Sequence, residues 1–188
     1  VHGLNSLGYY SRIMLRASCV VAVSECVREH LRVMAGGQQT AGVVVIYRGV
    51  DRQRFSRRWP QSDGWRAEYL REHPEAIGRF LLLLPGRLSR GKGHVDLIRL
   101  LADLRAVGVE VQALCPGNTS GREHYVSELQ SLAAALRVSD CLVFPGLRED
   151  LESIYAGVDV VLSLSSSPES FSLTTAEALA TGVPVVGY

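Results

Sequence analysis

The 188-residue sequence lacks the marks of several common protein classes. Its four cysteines, Cys19, Cys26, Cys115 and Cys141, form no C-x-x-C pair and no metal-ligand spacing, so we expect buried thiols in a reducing cytoplasm. No apolar run approaches the roughly 18 residues of a membrane span, and there is no signal-peptide pattern. A net charge of only +1 lacks the basic excess of a general nucleic-acid binder. A cytoplasmic protein without a nucleic-acid partner is therefore expected.

Hydrophobic residues make up 47% of the sequence, which is enough to bury a sizeable core in one domain or slightly more. The chain begins with Val1 rather than Met, and it ends at Tyr188 directly after a strand-like run. No further helical pattern follows that run to cover a sheet. We therefore expect part of a longer protein, incomplete at both ends.

From residue 80 onward, short apolar runs alternate with helical patterns. The apolar runs are Phe80–Leu84, Val109–Leu114, Cys141–Phe144, Val158–Leu162 and Val183–Val186. The helical patterns cover His94–Ala106, Arg122–Leu136, Glu149–Ala156 and Ser172–Thr181. This alternation predicts an α/β fold with a doubly wound, Rossmann-like parallel sheet. In the usual strand order 3-2-1-4-5, ligands bind where the order reverses, at the loops of residues 85–93 and 163–172.

The first 77 residues contain shorter elements. Helices are predicted over 9–17, over Glu25–Met34 with Ser24 as N-cap, and over Trp65–His73, and strands over Cys19–Val23 and Val43–Tyr47. Five arginines, at positions 48, 52, 54, 57 and 58, form a local basic run. We interpret this run as a solvated linker, with contact to an anionic acceptor or an acidic membrane surface as the alternative.

Two carboxylates flank the start of the last predicted helix. Glu169 lies in the loop before it, and Glu177 lies on its second turn. The first N–H groups of a helix have no intrahelical partner and, with the helix dipole, favour an anion. Because carboxylates accept hydrogen bonds from hydroxyl groups, the arrangement suits a nucleotide sugar. Alternatively, Glu169 is a loop residue stabilised by the dipole and Glu177 is a solvated helix residue.

The loop GRLSRGKG, from Gly86 to Gly93, carries two cations suited to a diphosphate. Arg87 offers a planar fork and Lys92 a mobile point charge, whereas Arg90 is expected to face solvent. The same loop fits the pattern G-x-x-x-x-G-K of a P-loop, but Gly93 stands where that motif needs Ser or Thr to hold magnesium. An ATPase is therefore the weaker alternative.

The stretch ESFSLTTAEALATGVPVVG, residues 169–187, resembles the E-x7-E motif of retaining glycosyltransferases with the GT-B fold, family four, the glycosyl transferases group 1. The loop at Gly86 resembles the Gly-Arg-Leu…Lys-Gly loop of that family. Residues 22–25, AVSE, and 49–51, GVD, resemble the end of its acceptor-side domain, although Arg48 replaces the usual Asn. The resemblance covers essentially the whole chain.

The resemblance implies a site for a nucleoside diphosphate sugar. The catalytic residues that it implies are Glu169 at the donor sugar, Arg87 and Lys92 at the leaving diphosphate, and His2 at the sugar. The donor-binding residues that it implies are Glu177 on the ribose, Leu147 near the base, and Gly86, Ser170, Phe171, Ser172, Leu173 and Thr174. Neither a metal nor another cofactor is implied, because the two cations and the helix N-terminus take the place of a metal.

The resemblance also divides the chain into the end of an acceptor-side domain (1–50), a linker (51–77) and a donor-binding domain (78–188). It implies an enzyme that transfers a sugar to a saccharide or lipid-linked acceptor in cell-surface polysaccharide synthesis, with peripheral contact at the inner membrane face. We expect no transfer by this chain alone, since the opposing domain holds the acceptor. A non-catalytic nucleotide-sugar binding module and a sugar-nucleotide epimerase or hydrolase are the alternatives.

Overall fold

The computed structural model describes residues 4, 17–35, 42–56 and 62–188. These residues form two compact units. The first unit combines the described part of the chain up to Gly49 with Ser167–Leu173, and the second combines Val50–Ser166 with Thr174–Tyr188. The loop that carries Glu169 is therefore part of the first unit, whereas Glu177 is part of the second.

In the first unit, two short parallel strands pack against one helix. Strand β1 (Val20–Ala22) pairs with β2 (Val43–Val45), and helix α1 covers Glu25–Met34. The Ser24 hydroxyl accepts a hydrogen bond from the Val27 amide at 3.2 Å, so the predicted N-cap and helix are confirmed. Buried side chains of β1, of α1 and of the turn between them form the core of the unit: Val20, Ala22, Val23, Val27 and Leu31.

The second unit contains a five-stranded, fully parallel sheet. Its strands are β3 (Phe80–Leu83), β4 (Val111–Leu114), β5 (Leu142–Val143), β6 (Val160–Ser163) and β7 (Val185–Gly187). They lie in the order β5-β4-β3-β6-β7, which is the predicted 3-2-1-4-5 order. The predicted third strand is shorter than expected, because Cys141 belongs to a 3-10 turn over Ser139–Cys141.

Helices cover both faces of this sheet. They are α2 (Ser62–Glu72), α3 (His94–Ala106), α4 (Glu123–Ala135), α5 (Leu151–Gly157) and α6 (Leu173–Thr181). Along β3, Leu82 packs with residues of α3 and α4, while its neighbours Leu81 and Leu83 pack with residues of α5 and α6. Side chains that alternate between two buried faces explain why the strands are continuously apolar in sequence.

The segment before β3 is fixed to the second unit. The Arg66 guanidinium on α2 donates to both carboxylate oxygens of Asp159, at 3.0 and 3.1 Å, and Asp159 also accepts the Leu81 amide at 2.8 Å. Arg54 donates to the Glu152 carboxylate on α5 at 2.9 Å. The Arg54 side chain, which the sequence placed in a solvated basic run, is 47% exposed and also forms this specific ion pair with α5, which the linker interpretation did not include.

Two of the four cysteines do not follow the expected burial. Cys115 and Cys141 are buried, but Cys19 and Cys26 are exposed. Cys19 precedes β1, and Cys26 lies beside Val27, which with Leu31 forms the buried stripe of α1. Within the described ranges, no helix is both long and apolar enough to cross a bilayer.

Candidate functional site

The loops that leave β3 and β6 lie against each other, as the strand order predicts. The Ser166 amide donates to the Gly91 carbonyl at 3.1 Å, and Lys92 Nζ lies 3.3 Å from Ser165 Oγ as a hydrogen-bond donor. Gly93 has φ +77°, and its Cα faces Leu164 so closely that a Cβ there would overlap the Leu164 carbonyl oxygen. Backbone contacts therefore join the β3 and β6 loops where the strand order reverses, and Lys92 lies half-buried at that point.

The loops after β3, β4 and β5 also lie side by side. The Gly86 amide donates to the Pro116 carbonyl at 3.1 Å, and the Gly117 amide donates to the Gly146 carbonyl at 2.9 Å. Leu147, the predicted contact near the base, follows directly and is 71% exposed. These bonds hold Gly86 and Leu147 in connected loops at the carboxyl ends of neighbouring strands.

The three cations of the β3 loop have different surroundings. Arg87 is exposed, and the adjacent Leu88 is 1% exposed and anchors the loop in the core. Arg90, expected to face solvent, is 76% exposed, but it donates to both oxygens of Glu128 at 2.8 and 2.7 Å. Its guanidinium also lies 5.4 Å from the centre of the Tyr125 ring. Arg90 is thus held on α4 and is separable from Arg87 and Lys92.

Glu177 lies on the second turn of α6, as predicted, and is half-buried. Its Oε2 accepts a hydrogen bond from the Tyr155 hydroxyl at 3.2 Å. Burial raises the pKa of Tyr155 far above its ordinary value, and the charge of Glu177 adds to this shift, so the hydroxyl keeps its proton and donates. Sequence reasoning missed Tyr155 because an apolar aromatic in a helix pattern gives no signal of a carboxylate partner 22 residues away.

The predicted donor-binding stretch divides between the two units. Glu169, Ser170, Phe171, Ser172 and Leu173 belong to the first unit, where the Phe171 side chain packs against the core of β1 and α1. Thr174 and Glu177 belong to the second unit with Gly86, Arg87, Lys92 and Leu147. His2 lies outside the described residues. A group of three or more potential metal ligands is not found in the part of the chain that the structure describes.

A buried histidine follows the candidate phosphate loop directly. His94 is 2% exposed at the start of α3, and its ring meets the Tyr125 ring edge-on at 6.0 Å. Among the described residues, neither His94 Nδ1 nor the Tyr125 hydroxyl has a hydrogen-bond partner. Burial lowers the pKa of His94 below its ordinary 6.5; the Ser89 backbone opposes the shift, and the Lys92 charge adds to it.

Acidification from pH 7 to pH 5 is expected to destabilise the chain through His94. Since the folded-state pKa of His94 is lowered, the unfolded chain binds the proton first as the pH falls. Stability from this residue is complete above pH 6.5 and is lost below it, at no more than about 1.4 kcal/mol per pH unit. Urea unfolding at several pH values should show a smaller loss for His94→Leu. His124→Leu, which removes an imidazole whose side chain is 90% exposed, is the control, and the difference between the two variants isolates the effect of the buried ring.

Comparison with known proteins identifies relatives of this architecture. The family model of glycosyl transferases group 1 matches residues 66–188. The D-inositol 3-phosphate glycosyltransferase of Corynebacterium jeikeium is 33% identical over 152 residues, which is 78% of this chain and 35% of that protein. The enzyme of the same name from Xylanimonas cellulosilytica is 38% identical over 145 residues, 76% of this chain and 34% of that protein. The chain thus spans about a third of the length of these relatives.

Solved structures show the same fold over nearly the whole chain. A glycosyltransferase from Rickettsia africae superposes with a TM-score of 0.84 at 26% identity and covers 98% of this chain and 49% of its own. Anabaena Alr3699/HepE in complex with UDP and glucose superposes with a TM-score of 0.80 at 28% identity. The superposition covers 99% of this chain and 51% of the Anabaena chain. With the family model matching well over half of its residues, the chain belongs to the glycosyl transferases group 1 family.

Proposed function

We propose that this chain binds a nucleoside diphosphate sugar for a retaining glycosyltransferase, which moves the sugar to a saccharide or lipid-linked acceptor. The observation that carries the proposal is the contact between the β3 and β6 loops, which holds Lys92 beside Ser165 at the reversal point of the sheet. Ligands of open α/β sheets bind at this point. The related Anabaena protein was crystallised with UDP and with UDP-glucose, which supports a uridine nucleotide as the first donor to test.

The proposed chemistry needs positive charge where the departing diphosphate becomes more negative. Arg87 is exposed on the β3 loop, and Lys92 is half-buried on the same loop. Donors that are fixed before the reaction stabilise developing charge without reorganisation, so these two residues take the role that a metal has in other transferases. In the proposal, Glu169 contacts the donor sugar, Glu177 holds the ribose, and the leaving phosphate assists attack by the acceptor on the same face of the sugar.

The acceptor is proposed as a saccharide or a lipid-linked acceptor in cell-surface polysaccharide synthesis. An inositol phosphate is the second candidate, because several relatives of at least 33% identity are named D-inositol 3-phosphate glycosyltransferases. The longest reading frame that contains this sequence should be assayed with UDP-glucose and each acceptor in turn. Sugar transfer to the inositol phosphate alone would replace the first candidate with the second.

The two carboxylates of the motif are expected to act on different parts of the donor. Glu177→Ala should weaken binding of UDP and of UDP-glucose by roughly tenfold to a hundredfold, since a hydrogen bond to a charged group contributes about 1.5–3 kcal/mol. Glu169→Ala should leave UDP binding unchanged and weaken UDP-glucose alone. Calorimetric titration of each variant with both ligands measures the difference.

The matched control for these variants is Glu128→Ala, which removes a half-buried carboxylate of the second unit that pairs with Arg90. Its UDP and UDP-glucose affinities should equal those of the wild type. Equal losses for both ligands in both Glu169→Ala and Glu177→Ala would contradict the assignment of separate roles.

A further inference from the structure

Tyr155 connects the core of the second unit to Glu177. The residue is fully buried, at 0% exposed, on α5, and its hydroxyl donates to Glu177 Oε2 on α6 at 3.2 Å. A side chain packed on all sides cannot move its hydroxyl without disturbing the core, so the donor atom has a fixed position. A hydrogen bond to a charged acceptor is also among the stronger ones in a protein. The bond therefore restricts where the Glu177 carboxylate lies.

The same tyrosine is supported from the segment before α2. The Phe55 ring meets the Tyr155 ring edge-on, with 6.0 Å between centres, and Phe55 is 7% exposed. Next to Phe55, Arg54 donates to the Glu152 carboxylate on α5 at 2.9 Å. Two adjacent residues thus anchor this segment on α5, one by an aromatic contact and one by an ion pair. Tyr155 is therefore held by the Phe55 ring on the segment before α2 and by the Glu177 carboxylate on α6.

A core aromatic would not need a hydroxyl to fill this space. Burial of a hydroxyl costs free energy unless it is hydrogen-bonded, and Phe would pack here without that cost. The Tyr155 hydroxyl meets its requirement through the one residue of α6 that the proposed function assigns to the ribose. We infer that Tyr155 is a positioning residue for Glu177, a role that rests on the proposed function: it orients the carboxylate toward the ribose hydroxyl groups.

The test compares UDP with 2′,3′-dideoxyuridine diphosphate, which lacks the ribose hydroxyl groups that Glu177 would bind. In Tyr155→Phe, the affinity for UDP should fall roughly tenfold, while the affinity for the dideoxy compound stays unchanged. Tyr155→Phe in a Glu177→Ala background should cause no further loss, because residues that act as one unit are not additive. Isothermal titration of the four proteins gives these values.

The control is Tyr69→Phe, which removes another buried hydroxyl of the same core cluster. Its hydroxyl donates to Gln112 at 2.8 Å, away from Glu177, so UDP affinity should be unchanged even if stability falls.

An unchanged UDP affinity in Tyr155→Phe, with a loss in Glu177→Ala, would overturn the role of Tyr155 and leave the proposed function standing. Unchanged UDP affinity in Glu177→Ala would instead overturn the ribose role itself and, with it, the role of Tyr155. If Tyr155→Phe does not fold, Phe55→Leu removes the edge-on ring contact to Tyr155 and keeps the hydroxyl. Its affinity for UDP should fall relative to its affinity for the dideoxy compound, and a wild-type ratio of the two affinities would overturn the role of Tyr155.

Discussion

In the longest reading frame that contains this sequence, Arg87→Ala and Lys92→Ala are each expected to lower turnover by about a hundredfold. The Michaelis constant for the donor should rise much less. Negative charge on the diphosphate increases as the glycosidic bond breaks, so a cation aimed at it stabilises the transition state more than the ground state. Lys92 is already held by its contact with Ser165 at 3.3 Å, so little reorganisation accompanies the reaction.

The same loop supplies the matched control for this prediction. Arg90→Ala removes an equal charge two residues from Lys92, but the Arg90 guanidinium is engaged by Glu128 and the Tyr125 ring. Its turnover should stay within about twofold of the wild type, because screening weakens exposed charges that do not touch the ligand. Steady-state kinetics of the three variants decide the roles. An increase in the Michaelis constant at constant turnover would mean that Arg87 and Lys92 only bind the donor.

The sequence predicted the elements whose ends carry local signals. Helix α1 covers the predicted Glu25–Met34, because Ser24 caps it, and α3 covers the predicted His94–Ala106, because Gly93 and the Val107–Gly108 turn bound it. The strand order also followed from the alternation of elements, since right-handed crossovers leave few arrangements of a parallel sheet.

The features that escaped prediction depend on contacts between distant parts of the chain. The Arg54–Glu152 ion pair joins residues 98 positions apart, and no local sequence pattern distinguishes Arg54 from the other arginines of the basic run. Cys141, predicted in the third strand, belongs instead to the 3-10 turn over Ser139–Cys141. That turn is anchored by a hydrogen bond from Arg105 to Asp140, two residues that lie 35 positions apart. No sequence signal indicated that the Phe171 side chain packs against the core of the first unit. The motif assigns a role only to the backbone in this stretch, and the packing partners lie far away in the sequence.

Replacing Gly93 with alanine is expected to destabilise the chain by about 3 kcal/mol or more and to abolish measurable UDP binding. Gly93 has φ +77°, where an L-residue is strained, and a Cβ would overlap both the carbonyl oxygen and the Cβ of Leu164. Because Gly93 precedes α3 and follows Lys92 directly, relief of the overlap must displace the β3 loop from the β6 loop. Stability and phosphate binding should therefore be lost together.

Two other glycines separate the causes of this effect. Gly78 has φ +84° with open space around a Cβ, so Gly78→Ala measures backbone strain alone and should cost about 1–2 kcal/mol. Gly91, in the same loop as Gly93, has no positive φ, and its Cβ would lie 3.9 Å from Ser166 Oγ, so Gly91→Ala should cost less than about 1 kcal/mol. Urea unfolding gives the free energies, and titration with UDP gives the affinities. Gly93→Ala could instead unfold at the same urea concentration as Gly78→Ala and still bind UDP. Backbone strain alone would then account for the whole loss of stability. In that case the close approach of Gly93 to Leu164 does not hold the β3 and β6 loops together.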